Sequence, residues 1–550
     1  MRRAWPLLLC LAAGTPSAAQ DHSLCGAVGW VPRDLLSRPL PLRPDVGVAP
    51  DPVTTASPEA RAFYEQGVAY LHSYVWIEAG RSFHQALRLD PKLALAHVGL
   101  SRVYSGLEDP PAARAALAQA EALTGEISPR ERWRVSVRRL QLDAIEAPTD
   151  SARHHAYKQA LDRALREHFE DAELWLLRGN AEEPNAAGRG QRGGAGSVAF
   201  YRQALAVSPD HFAAHHYLVH SYENLGAIEK ALEHGASYAR LASAVPHARH
   251  MYGHDLRRVG RVPEAIAEFR RAYELEKAYY AAEKMDASFD WHHPHNLDLL
   301  ATCHQHQGQS RTAEGYLRES VALDAVVEGI EVNKKAWPLF LLSAGRLEDA
   351  LGAARAMTAG RWAPARTVGH ALSGTALAGL GRLDEAEKEL AAAEKEREKL
   401  PVELLPGRIS RGYVEADVDL LRGELKLRRG RHAEARPLLL DVQRRLRAVP
   451  GPDAWIAALF RLEWIFRAAR AAGDHELAAA TAEQMRDHDA AYGGTQFALG
   501  LVAERAGDRA AAAQAFGAAL ERWHGADPDL PERAEARRRL DALGVAAAAR

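Results

Sequence analysis

A 34-residue period constrains this chain more than any other feature of its sequence. His216 and His250 lie 34 residues apart, and His220 and His254 repeat that separation. A repeat of this length accommodates one helix, a turn and a second helix. Each such unit buries its apolar face only by stacking on its neighbours. The period therefore predicts an all-α chain, a right-handed superhelix (α-solenoid) of stacked helix pairs.

The composition favours the same fold and excludes some functions. Alanine, leucine, arginine and glutamate dominate, whereas runs of β-branched residues are scarce, and this balance is typical of helices. The 70 Lys and Arg residues nearly equal the 72 Asp and Glu residues. Because nucleic-acid binders normally carry a basic surplus, we expect no nucleic-acid partner. No apolar run of about 18 residues follows the N-terminus, so we expect no integral membrane segment.

The first residues are typical of an export signal. Arg2 and Arg3 precede an apolar run, and small residues then lead up to Ala19. This pattern predicts a signal peptide over residues 1–19, cleaved after Ala19, and a periplasmic or secreted protein. Cys25 and Cys303 remain after that cleavage. The spacing leaves open whether they pair or whether Cys303 is a buried helical residue.

Changes in composition and pattern divide the rest of the chain. Residues 20–58 are rich in proline and predict an extended arm that packs along the body. Residues 59–326 predict repeats with a histidine-rich groove, and residues 327–550 predict further repeats that end in a capping helix from Pro531. The glycine-rich segment 185–196 interrupts one unit, and we interpret it as a flexible surface insertion.

Two histidine pairs predict a metal site. Each pair is spaced i, i+4, so both rings leave the same face of a helix. Neighbouring helices pack about 8–10 Å apart, which brings two successive pairs close enough to meet at one ion. His247, by contrast, is interpreted as a cap at a helix start. The predicted ligands are His216, His220, His250, His254, Glu223 and His295. Imidazole and carboxylate ligands suit zinc, copper, iron or manganese.

Several segments resemble a known family. Gly67, Tyr70, Ala79, Phe83, Ala86 and Pro91 match the tetratricopeptide pattern. From Thr54 to about Arg311 the chain resembles exported bacterial tetratricopeptide-repeat proteins, which often read His-Met-Pro-Ser-His where this chain has Tyr252 and Gly253 between two histidines. The resemblance implies a helix-pair solenoid, export and a concave groove. It also implies that the histidines of both pairs stand at places that line this groove.

Three functions fit these observations. The first is an exported scaffold whose groove binds a transition metal or another ligand. The second is a metal-dependent enzyme, oxidative or hydrolytic, with residues 280–293 as a lid; its catalytic residues are unknown. The third is a metal-free adaptor that binds a peptide or protein in the groove. An anion groove using Arg249, Arg257 and Arg258, or histidines that only pack between helices, would also explain the pattern. No His-Glu-x-x-His, Gly-x-Ser-x-Gly or Walker motif occurs.

Overall fold

Helices account for all the regular structure of the described chain. The computed structural model describes residues 31–184, 186–402, 409–448 and 452–544. Within these ranges the chain forms 27 α-helices, one 3-10 helix and no strand. The predicted signal peptide and Cys25 lie outside the described residues.

The helices follow one another with short connections. The first part contains α1 Arg33–Leu36, α2 Pro58–His72, α3 Trp76–Leu89, α4 Ala94–Gly106, α5 Pro110–Ala122, α6 Pro129–Ile145, α7 Ser151–Glu167, α8 Ala172–Asn180 and α9 Ala195–Val207. The middle contains α10 Phe212–Asn224, α11 Ile228–Leu241, α12 Pro246–Arg258, α13 Val262–Glu283, the 3-10 helix Ala287–Phe289, α14 His292–His306, α15 Ser310–Ala322, α16 Glu328–Asn333, α17 Ala336–Ser343 and α18 Leu347–Thr358. The last part contains α19 Ala363–Gly379, α20 Leu383–Arg397, α21 Arg411–Arg428, α22 His432–Ala448, α23 Pro452–Ala471, α24 His475–Asp489, α25 Gly493–Ala506, α26 Arg509–Arg522 and α27 Pro531–Ala542.

A glycine–phenylalanine contact sets the distance between the two helices of several pairs. The Phe83 ring lies so close to Gly67 on α2 that a methyl group there would overlap it. Gly253 meets Phe269 in the same way between α12 and α13. Phe83 and Phe269 are fully buried. Consecutive helices therefore pack closely in pairs, and the predicted all-α solenoid of tetratricopeptide-like helix pairs is confirmed.

The N-terminal arm runs between the first repeat and α13. Arg43 of the arm forms ion pairs with Glu78 on α3 and Glu283 on α13. The backbone carbonyl of Asp45 accepts a hydrogen bond from the Ala244 amide at 2.9 Å. The arm is not extended throughout, because one helical turn, α1, interrupts it. Its contacts join helices that are distant in sequence.

The glycine-rich segment is packed against the body at residues 186–190, so the prediction of a flexible surface insertion is wrong for that part, whereas Gln191 and Arg192 are exposed. The Tyr74 hydroxyl donates to the Arg189 carbonyl at 2.6 Å. Gly190 has a φ of +94°, and a Cβ there would overlap the Tyr217 ring. Because only glycine accepts that backbone conformation so near a ring, the composition reflects close packing and not mobility.

The later helices return to the middle of the chain. The Asp527 amide donates to the Gly308 carbonyl at 3.0 Å, just before α27 packs on α26. Apolar contacts also join Leu256 and Leu300 to helices beyond residue 420. The apolar core thus crosses the predicted limit at residue 326, and the domain limits stay a prediction. Every helix of the described ranges is too short or too polar to span a bilayer.

Candidate metal centre

Three neighbouring helices carry histidines on one face. These are α10, α12 and α14, the first helices of successive pairs. The side chains follow helical spacing: i, i+4, i+7 on α10, i, i+3, i+7 on α12 and i, i+3 on α14. The residues concerned are His216, His220 and Glu223 on α10, His247, His250 and His254 on α12, and His292 and His295 on α14.

Triad one consists of His216, His220 and His247. The Nε2 atom of His216 lies 3.2 Å from Nε2 of His220 and 3.0 Å from Nε2 of His247. One ring nitrogen from each residue falls within 4.8 Å of the other two. His216 and His247 are buried, and His220 is partly exposed. Three imidazole nitrogens at these distances can bind one transition-metal ion.

Triad two consists of His250, His254 and His295. One ring nitrogen from each again lies within 4.8 Å of the other two. The ring centroids of His250 and His254 are 4.4 Å apart, and those of His250 and His295 are 4.8 Å apart. His250 and His254 are buried, whereas His295 is partly exposed. Each triad thus has one ring that solvent reaches.

Hydrogen bonds fix the proton position on one ring of each triad. Nδ1 of His216 donates to the His72 carbonyl at 2.7 Å. Nδ1 of His250 lies 3.0 Å from Oδ1 of Asn296, and Nδ2 of Asn296 donates to the Phe269 carbonyl at 3.0 Å. Because a carbonyl only accepts, Nδ1 carries the proton in both rings. Their Nε2 atoms therefore keep the lone pair that a metal needs.

Burial keeps these imidazoles neutral. Burial lowers the pKa of His216, His247 and His250 well below the ordinary value, and the neighbouring histidines lower it further. At neutral pH the three rings are therefore uncharged and able to donate electron pairs.

Glu223 faces one histidine of each triad. Its Oε2 lies 3.6 Å from Nδ1 of His220, and its Oε1 lies 3.7 Å from Nδ1 of His254. Burial alone would raise the pKa of Glu223, but the two histidines outweigh it and hold the pKa at about 2. Burial and the charge on Glu223 raise the pKa of the adjacent Asp255. The negative charge therefore sits on Glu223, between the triads.

His292 adds a buried donor beside triad one. Its ring centroid is 4.6 Å from that of His247, and its Nδ1 lies 3.2 Å from Oδ1 of Asp290. Burial would raise the pKa of Asp290, but its contacts with His292 lower it on balance, so the ionised carboxylate accepts the Nδ1 proton. Nε2 of His292 is buried and has no hydrogen-bond partner among the described residues. The Trp291 ring covers His292 at 3.9 Å between centroids.

The structure distributes the predicted ligands differently from the expectation. The two i, i+4 pairs fall into different triads: His216 and His220 lie in triad one, and His250 and His254 lie in triad two. The third ring of triad one is His247 of α12. That residue makes no side-chain cap hydrogen bond, so its interpretation as a helix cap is wrong. His247, His250 and His254 follow i, i+3, i+7 spacing, and this signal in the sequence would have identified it. The carboxylate of Glu223 lies 3.6–3.7 Å from Nδ1 of His220 and His254 and outside both groups of three donors, and its role as a ligand stays a prediction.

Neighbouring polar residues point elsewhere. Nδ1 of His293 lies 2.8 Å from Glu276, away from both triads. Arg257 is buried against Asp489 at 3.0 Å, and Arg258 lies over the Trp455 ring. Arg249 is paired with Glu268, whereas Arg258 lies near enough to Glu223 to interact with its charge, and the anion groove stays a prediction.

The geometry defines a helical-repeat protein with two histidine triads on adjoining helices. No protein-family model matches the chain, and no curated protein matches it. Among solved structures, PilW, a widely conserved type IV pilus biogenesis factor, is 17% identical over 41% of this chain and 94% of that chain, with a TM-score of 0.23. Yeast Tom70 is 11% identical over 88% of this chain and 95% of that chain, with a TM-score of 0.30. The interpretation of the site therefore rests on the residues of this chain.

Proposed function

We propose that this protein is an exported helical-repeat scaffold that binds divalent transition metal at the two histidine triads. The observation that carries the proposal is the convergence of three Nε2 atoms in triad one, two of them 3.0 and 3.2 Å from the third. The His72 carbonyl supports it, because it holds His216 in the tautomer that a metal requires. Imidazole donors suit zinc, copper and iron; manganese prefers oxygen donors. Export is supported by residues 1–19, which fit a signal peptide.

A metal-dependent enzyme is the second candidate, and the number of donors favours it. Three protein ligands per ion are typical of catalytic sites, where a water or substrate takes the fourth position. The partly exposed His220 and His295 give each triad a side from which a small molecule can approach. Closed four-ligand coordination at both triads would argue for a structural role instead.

A peptide-binding adaptor would use the other surfaces of the repeat. The arm, however, already occupies the space between α3 and α13, where Arg43 and Arg81 both contact Glu283. A partner that bound there would have to displace the arm and its ion pairs. We therefore rank the adaptor below a metal function for the region around the triads.

Elemental analysis tests the proposal. The full chain is purified without a polyhistidine tag and incubated in turn with zinc, copper, iron and manganese salts. We expect near-stoichiometric metal in the unaltered protein and loss of metal when each triad is changed to alanine. A matched control is the double variant His215→Ala/His234→Ala. These rings also face each other, with Nδ1 atoms 2.8 Å apart, but no third donor joins them within the part of the chain that the structure describes. The control should keep its metal, and an unaltered protein that takes up none of the four metals would refute the proposal.

A further inference from the structure

The two triads are immediate neighbours. His247 of triad one and His250 of triad two stand one turn apart on α12, with ring centroids 5.8 Å apart and planes 20° from parallel. A metal–nitrogen bond of about 2.0–2.1 Å places an ion roughly 3 Å from the centroid of the ring that binds it. Two ions bound by these rings therefore lie at most about 12 Å apart.

The carboxylate of Glu223 lies between one histidine of triad one and one histidine of triad two. Its two oxygens face Nδ1 atoms of His220 and His254, which belong to different triads and different helices. A carboxylate that accepts the outer N–H of a ligating histidine fixes the ring and makes it a better donor. Here a single buried carboxylate lies 3.6 Å from His220 and 3.7 Å from His254, close enough to attract the N–H of a ring from each site.

His292 supplies an independent sign of a ligand between the triads. Its side chain is 6% exposed, and its Nδ1 is held by Asp290. Its Nε2 has no hydrogen-bond partner among the described residues. A buried imidazole nitrogen without a partner is a position that an ion or a water molecule can fill. The ring lies 4.6 Å from His247, close to where the two triads adjoin.

We propose that the two triads form one two-metal centre that takes two divalent transition ions, with Glu223 as the shared positioning residue and His292 as an additional donor beside triad one. This inference rests on the proposed function. It goes further in stating that the two ions are close and that one residue controls both.

Electron paramagnetic resonance of the Cu(II)-loaded full chain tests the distance. We expect two bound Cu(II) ions and a spectrum broadened by the magnetic dipolar coupling between them. The variants His216→Ala/His220→Ala/His247→Ala and His250→Ala/His254→Ala/His295→Ala should each bind one ion and lose the broadening. Two bound ions whose spectrum equals the sum of the two variant spectra would overturn the two-metal centre and leave metal binding intact. No bound copper, zinc, iron or manganese would overturn both proposals.

The variant Glu223→Gln tests the shared residue. We expect it to weaken Cu(II) binding at both triads by about 10–100-fold, since carboxylates that contact a ligating histidine have effects of that size. The matched control is Glu276→Gln, which alters an equally buried carboxylate that faces His293, outside both triads. The control should bind both ions as the unaltered chain does. An effect of Glu223→Gln on one triad only would refute its shared role. The spectrum of the unaltered chain does not depend on this variant, so a variant that fails to fold leaves the distance test intact.

Discussion

Replacing Asn296 with alanine should weaken metal binding at triad two and spare triad one. Oδ1 of Asn296 accepts a hydrogen bond from Nδ1 of His250 at 3.0 Å, and Nδ2 of Asn296 donates one to the Phe269 carbonyl. Without the amide no acceptor at residue 296 holds the proton on Nδ1 of His250. The ring can then carry its proton on Nε2 instead, and a protonated Nε2 cannot bind a metal. Losing an outer hydrogen bond of this kind weakens metal binding by about 10–100-fold, equivalent to about 1.4–2.7 kcal/mol.

The assay isolates each triad. Zn(II) affinity is measured by competition with a chromophoric chelator in two backgrounds, one lacking the histidines of triad one and the other lacking those of triad two. Asn296→Ala should lower the affinity in the first background and leave it unchanged in the second. Gln443→Ala is the matched control, because this buried amide donates to the Thr481 hydroxyl at 2.8 Å between α22 and α24, helices that carry no triad residue.

Both substitutions remove a buried hydrogen bond and should lower the free energy of unfolding by about 1–3 kcal/mol. Only Asn296→Ala should change the zinc affinity. Equal losses of affinity in the two variants would show that the metal responds to general destabilisation, and the tautomer argument would then be wrong. An unchanged affinity in Asn296→Ala would refute it directly.

Four further outcomes are expected. Phe83→Ala should lower the free energy of unfolding by about 3–5 kcal/mol in urea denaturation, because it empties the space between Gly67 and Gly99. Burial lowers the pKa of His306 to about 4. Above pH 6.5 His306 is neutral in both the folded and the unfolded chain, and the free energy of unfolding has its full value. As the pH falls from 6.5 to 4 the unfolded chain takes up a proton first, so up to about 3 kcal/mol of that free energy is lost. The variant His306→Asn should reduce this dependence on pH. A chelator should lower the melting temperature of metal-loaded protein, and it should leave the variant without both triads unchanged. Mass spectrometry of protein recovered from the producing cells should show a chain that begins at residue 20, after cleavage behind Ala19.

The fold followed from local patterns in the sequence. The 34-residue offset between His216 and His250 reappears as the offset between the starts of α10 and α12. Gly67 and Phe83 match the repeat pattern in the sequence, and in the structure the Phe83 ring fills the space beside that glycine. Such signals are readable because each repeat contacts mainly its neighbours.

The candidate site could be predicted only in part, because it depends on how separate helices are oriented against one another. His216 and His250 could be placed on one face of their helices, since spacing alone decides this. The division into two triads depends on the rotation of α12 against α10, which carries His247 to the Nε2 of His216. No residue spacing specifies that rotation. The packed segment around Arg189 was missed because a glycine-rich composition is also typical of loose loops.

The His72 carbonyl has a consequence for how the protein matures. It belongs to the end of α2, and the ring that it orients, His216, lies 144 residues further along the chain. Most repeat proteins can fold outward from any unit, but triad one is complete only when the first repeat and α10 have come together. Metal binding at triad one would therefore indicate that α2 and α10 have packed together. A truncated chain that begins after α2 would keep all six triad histidines and still bind metal poorly at triad one.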